Sequence, residues 1–134
     1  MTRPPAWIEP EAALAIHDWL AAEHGWPVSQ PNPARLAACH AAPRDLHAGG
    51  AASLFQVAAR YALGIARDRP LGDGSAALAL VVAAVFLELN GWRLAGSEAD
   101  AASVTRALGS GELDASAYGM WLEEASHPTS RRRA

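Results

Sequence analysis

Apolar residues recur along this chain at three- and four-residue steps, the period of a helix that buries one face. The clearest run is Leu54, Val57, Ala58, Tyr61, Ala62 and Ile65, which predicts a helix from Ala51 to about Asp68. A first helix is expected from Glu9 to His24. Pro10 suits its opening turn, Glu9 and Glu11 suit its dipole, and Gly25 stops it. Within it Ala13, Ile16 and Leu20 lie near one side with His17 and His24. Asn32 before Pro33 opens a second, short helix, which Pro43 ends at about Ala42. Pro43 to Gly50 then reads as a polar loop carrying Arg44, Asp45 and His47.

One stretch breaks the one-faced pattern. From Ala76 to Leu87 every position is apolar, so no side of that helix is left for water. The run falls short of the roughly 20 residues that span a bilayer, so it reads as a buried central helix with no membrane role. Asn90-Gly91 ends it. A short extended link, Trp92-Arg93-Leu94, follows. Ser97 then caps a helix reaching about Leu108, and Asp114 opens a last one carrying Tyr118, Trp121 and Leu122. No segment alternates as a strand does, and the chain has no internal repeat. The fold class expected is all-α. One domain of about six helices, residues 9–126, lies between an irregular N-terminus (1–8) and a flexible basic tail (127–134) with Arg131, Arg132 and Arg133.

Composition narrows the chemistry. The chain has 134 residues, 51% hydrophobic and 19% charged, enough for one domain with a real core. Arg is the only side-chain cation besides His, so lysine-based chemistry is excluded. A net charge of −3 argues against a general nucleic-acid binder. The single cysteine, Cys39, excludes an intramolecular disulfide, and the N-terminus has no apolar signal segment, so a cytoplasmic location is expected. His17 and His24 stand seven residues apart, the wrong spacing for a helical zinc site. His40 and His47 carry no motif. Ser53, Ser75 and Ser103 lack a nucleophile elbow. The five Trp residues read as packing groups rather than a ligand cage.

The candidate site is the loop Arg69-Pro70-Leu71-Gly72-Asp73-Gly74-Ser75, which delivers its last residues to the N-terminus of the apolar helix. Helix N-termini favour anions through unsatisfied N–H groups and the dipole. Anion binding is therefore assigned to Arg69, Gly72, Asp73, Gly74, Ser75 and Ala76, with Arg67 a further candidate anion partner. Asp73 is read first as a capping carboxylate and second as a metal ligand.

The order of these parts resembles the Fic superfamily and, within it, the death-on-curing (Doc) toxins. The likeness runs over roughly residues 7–126. It rests on Ile16-His17-Asp18, on Leu36-Ala37-Ala38 after a glycine loop, on the motif loop, and on Phe86-Leu87-Glu88-Leu89-Asn90-Gly91. The family's motif reads H-P-F-x-D-G-N-K-R and this chain reads R-P-L-G-D-G-S-A-A. Pro70, Asp73 and Gly74 match. Arg69 stands at the family's catalytic His, Ser75 at its Asn, and Ala76 and Ala77 at its cations. The resemblance implies a transferase that moves a phosphate or AMP from a nucleotide to a protein hydroxyl, with ATP or another nucleotide and Mg²⁺ as cofactors. It also implies a toxin–antitoxin setting, with an antitoxin peptide or a protein target as partner.

The departures change that expectation. An arginine is always protonated and has no acceptor, so Arg69 cannot serve as a general base, and no catalytic residue is assigned. General-base catalysis contributes roughly 10²–10⁴ in rate, and losing a charge-stabilising donor costs a further ~10²–10³. The reading favoured is a pseudoenzyme that acts by protein binding and keeps an anion site. The first alternative is an active transferase with a relocated base, His17, His40 or His47. The second is a small helical interaction or DNA-contact domain.

Overall fold

A computed structural model describes residues 5–26, 31–70 and 74–129 of the chain. Six helices carry the fold: α1 (Pro10–His24), α2 (Pro33–Ala48), α3 (Leu54–Asp68), α4 (Ser75–Leu89), α5 (Glu98–Ser110) and α6 (Ala115–Ala125). Two three-residue strands, β1 (Trp92–Leu94) and β2 (Ser126–Pro128), pair antiparallel with Arg93 opposite His127. The expected all-α class and six-helix domain are found.

Most helices begin where a short polar side chain can hold the first turn. Asn32 accepts from the Arg35 amide, Ser53 from Gln56, Ser97 from Asp100, and Asp114 from Ala117. Ser53 moves the start of α3 three residues later than the apolar pattern suggests.

The core is shared by two helices rather than built around one. On α3 Val57, Ala58, Ala59 and Ala62 are fully buried; on α4 Ala79, Val82, Ala83, Phe86 and Leu87 are. The α3–α4 contact is the most extensive in the molecule, and α2, α5 and α6 all pack on α3. Small side chains make that crowding feasible. A Cβ on Gly64 would stand 3.0 Å from Cys39 Sγ, so α2 and α3 approach closely there. Cys39 is buried, and burial with the nearby Asp68 charge pushes its thiol up to about 11, which keeps it in the unreactive protonated form at neutral pH.

Four expectations need correction. The apolar α4 is not enclosed on every side: Leu80, Val81, Ala84 and Val85 are half-buried and floor an open groove of about 410 Å³ towards Leu94 and Ala101. Pro43 does not end α2, which continues to Ala48. Proline costs a helix one hydrogen bond and a clash with the preceding turn, but here its ring is itself fully buried, so packing offsets part of that cost. The segment after Ala125 is not wholly a tail, because Ser126–Pro128 forms β2 and Thr129 N–H donates to Gly91 O at 3.0 Å. Trp19 is not a packing residue; it is 62% exposed. Residues 130–134, with the three tail arginines, lie outside the described residues.

One buried polar pair locks α5 to α6. The Thr105 hydroxyl donates to Ala101 O at 2.8 Å, so the Tyr118 hydroxyl, also at 2.8 Å, must donate to Thr105 Oγ1. Burial pushes the Tyr118 phenol up to about 12. The folded state therefore holds that proton more tightly than the unfolded chain. The resulting stability is fully present below pH ~10 and is lost as pH rises towards 12. Tyr118→Phe is expected to flatten denaturation midpoints over that alkaline range. Thr105→Val, which strands a buried hydroxyl, is expected to cost about 1–3 kcal/mol at neutral pH in urea titrations.

Candidate functional site

The chain leaving α3 is held by α3 itself and by α2. Arg69 closes α3 in the left-handed conformation, φ 49°, and is the one non-glycine residue with positive φ among those described. Its amide donates to Ile65 O at 3.2 Å. Pro70 is fully buried, and its carbonyl accepts from Asn32 N–H at 2.8 Å. Arg35 Nη1 donates to Asp68 O at 3.1 Å, so α2 holds the end of α3 as well. Between the Cys39 side of α2 and this loop lies a small apolar cavity of about 20 Å³, lined by Ile8, Tyr61, Pro70 and Leu78 among others.

Gly74 is the N-cap of α4, in the left-handed region at φ 80°, with no side-chain cap. Asp73 and Gly72, assigned to capping, metal and anion binding from the sequence, lie outside the described residues. Ser75 and Ala76 form the first turn of α4 and are half-buried. Arg69 is exposed at the same end. Arg67 is not gathered with them. Its Nη2 sits 2.9 Å from the place a Cβ on Gly111 would take, at the C-terminus of α5, where a cation suits the helix dipole.

A residue to which sequence reasoning gave no role at this tip closes it. A Cβ on Gly74 would collide with Cζ3 and Cη2 of Trp26, so the indole lies against the cap residue. Trp26 is placed there by the end of α1. Gly25 takes the left-handed conformation at φ 70°, and Trp26 N–H reaches back to Ala21 O at 3.0 Å. That is the turn in which the residue after the glycine commonly makes an apolar contact, and Gly25-Trp26 was its only sequence signal. His24 stacks on the indole at 5.2 Å and 18°, and His17 meets it at 5.7 Å and 42°.

The three imidazoles considered as replacement bases are therefore separated. His17 belongs to the Trp26 cluster and is 1% exposed. His40 faces the N-terminal segment, with Nε2 3.5 Å from Glu9 Oε1. His47 lies edge-on to Trp7 at 5.6 Å. Chemically, the tip is a helix N-terminus with an aromatic plate against its cap glycine. The indole fills the space a Cβ on Gly74 would take, so only glycine fits this cap beside Trp26.

No protein-family model matches the chain, and no curated protein matches it. Among the described residues no helix is long and apolar enough to cross a membrane.

Proposed function

We propose that this chain is a Doc/Fic-like protein whose motif has lost catalysis and which acts by binding another protein in a toxin–antitoxin setting. The observation that supports the loss of catalysis is the indole of Trp26 against Gly74. First-turn amides hold an anion only where the anion can reach them. With Arg69 in place of a base and an aromatic ring beside the cap, the tip is suited to anion contact at its edge rather than to phosphoryl transfer. The arrangement of parts supports the family reading: the motif loop joins two core helices, and Asn90-Gly91 terminates the second.

The test uses the purified chain with labelled ATP, Mg²⁺ and candidate target proteins. No label should transfer above a chain-free control. Transfer that vanishes in Asp73→Ala would overturn the pseudoenzyme reading and return the chain to the transferases. His17 is the imidazole favoured for that second reading, because it alone of the three contacts a residue at the tip. It would need Trp26 to move first, since a sealed imidazole cannot take a substrate's proton.

A further inference from the structure

The chain holds two asparagines, and only one of them can cyclise on its own backbone. Deamidation through a cyclic imide needs the amide nitrogen of the next residue as its nucleophile. After Asn32 comes Pro33, which has no N–H to give up. After Asn90 comes Gly91, which has the N–H and no Cβ to crowd the attack.

The fold holds both reacting groups. Asn90 is the C-cap of α4, at φ −107° and ψ 17°. Its Nδ2 donates to Phe86 O at 2.8 Å and to Ala6 O at 3.0 Å, and its Oδ1 accepts from Ala6 N–H at 2.9 Å. The nucleophile is engaged as well, since Gly91 N–H donates to Glu88 O at 3.2 Å. Ring closure has to bring the Gly91 nitrogen onto Asn90 Cγ, so these bonds must open first. The core need not unfold for that. The bonds to Ala6 lie at the surface, and Asn90 stands at a helix end, where local opening costs least.

We propose that Asn90 is a site of spontaneous covalent modification, and that its deamidation is a one-way switch on the tie between α4 and residues 5–9. The Gly91 nitrogen gives its proton to solvent base and bonds to Asn90 Cγ. The Cγ–Nδ2 bond breaks, and the nitrogen leaves as ammonia with a proton taken from solvent. Water then opens the imide at either carbonyl. One opening leaves aspartate; the other leaves isoaspartate, whose main chain is one carbon longer. The aspartate keeps an acceptor for Ala6 N–H but has no donor for Ala6 O or Phe86 O, and it sets a negative charge beside both carbonyls. The isoaspartate also lengthens the chain just before β1, where Gly91 O receives the Thr129 N–H. The inference concerns Asn90 alone and does not rest on the Doc/Fic reading.

The test incubates the full chain at mildly alkaline pH, folded and in urea, and follows residue 90 by mass spectrometry of its peptides. Conversion in the folded chain is expected, at least tenfold slower than in the unfolded one, with Asn32 unchanged in both. Protection below tenfold would overturn the claim that the fold guards this amide. No conversion in the folded chain over a hundred half-lives of the unfolded one would overturn the site. The switch is read on Asn90→Asp by amide exchange. Ala6 should exchange at least tenfold faster than in the unaltered chain, relative to the amides of Val57 to Ala62; an unchanged ratio would overturn the switch. Should Asn90→Asp fail to fold, the unaltered chain should lose helical signal in step with its conversion, and a signal kept through full conversion would overturn the switch.

Discussion

Phe86→Ala should be among the most damaging single substitutions in this protein, lowering stability by about 3–5 kcal/mol. Phe86 is fully buried on α4 and meets Tyr61 of α3 at 5.3 Å and Trp7 at 5.8 Å. Its carbonyl also accepts from Asn90 Nδ2 at 2.8 Å, the same amide that holds Ala6. Removing the ring therefore opens a cavity where three segments meet, and side-chain hydrogen bonds from Asn90 and Tyr61 to the backbone of Ala6 and Ile8 limit collapse. A domain of this size has a total stability of roughly 5–15 kcal/mol, so the melting temperature should fall by on the order of 10–20 °C. Phe86→Leu, which keeps most of the volume, should cost less than half as much. Urea titration of both variants checks this. A loss below about 1.5 kcal/mol for Phe86→Ala would mean that the three segments do not converge on this ring.

The elements legible in the sequence are those whose signals are local. Asn32, Ser97 and Asp114 each accept from an amide three residues on, and each marked its helix start without tertiary help. The apolar steps of α3 gave its buried face directly. What could not be read depends on partners far along the chain. Ala6 bonds Asn90 across 84 positions, and no periodicity announces it. β1 and β2 are three residues each, too short to alternate, and exist only because they pair. Pro43 carried a strong local signal that tertiary packing overrode. Reading it as a stop hid the fact that His40, Arg44 and His47 follow helical spacing on one face of α2, the face that meets Glu9 and Trp7. At the candidate site the start of α4 beside Gly74 was legible in the sequence. Trp26 was not, because its role comes from the turn at Gly25 bringing α1 against α4.

Gly74→Ala is expected to cost about 2–5 kcal/mol, and the source of that cost can be separated. A residue with a Cβ pays ~1–2 kcal/mol to hold the left-handed conformation that Gly74 adopts at φ 80°. The same Cβ would meet the Trp26 ring, and overpacking of that kind costs ~1–3 kcal/mol. The indole cannot yield cheaply, since His24 stacks on one side of its environment and His17 packs against it as well. In a Trp26→Ala background only the conformational part should remain, so the two substitutions should couple by roughly 1–3 kcal/mol in a double-mutant cycle. Gly74→Asn in that background should cost less than Gly74→Ala, because Asn tolerates the left-handed region better. If the cycle shows no coupling, the ring does not press on the cap, and the observation offered for a closed tip falls with it. If the coupling is found, calorimetry of Trp26→Ala with ATP and Mg²⁺ gives the complementary readout: uncovering the first turn of α4 should strengthen anion binding relative to the unaltered chain, while Arg69, still lacking an acceptor, leaves the variant without transfer activity.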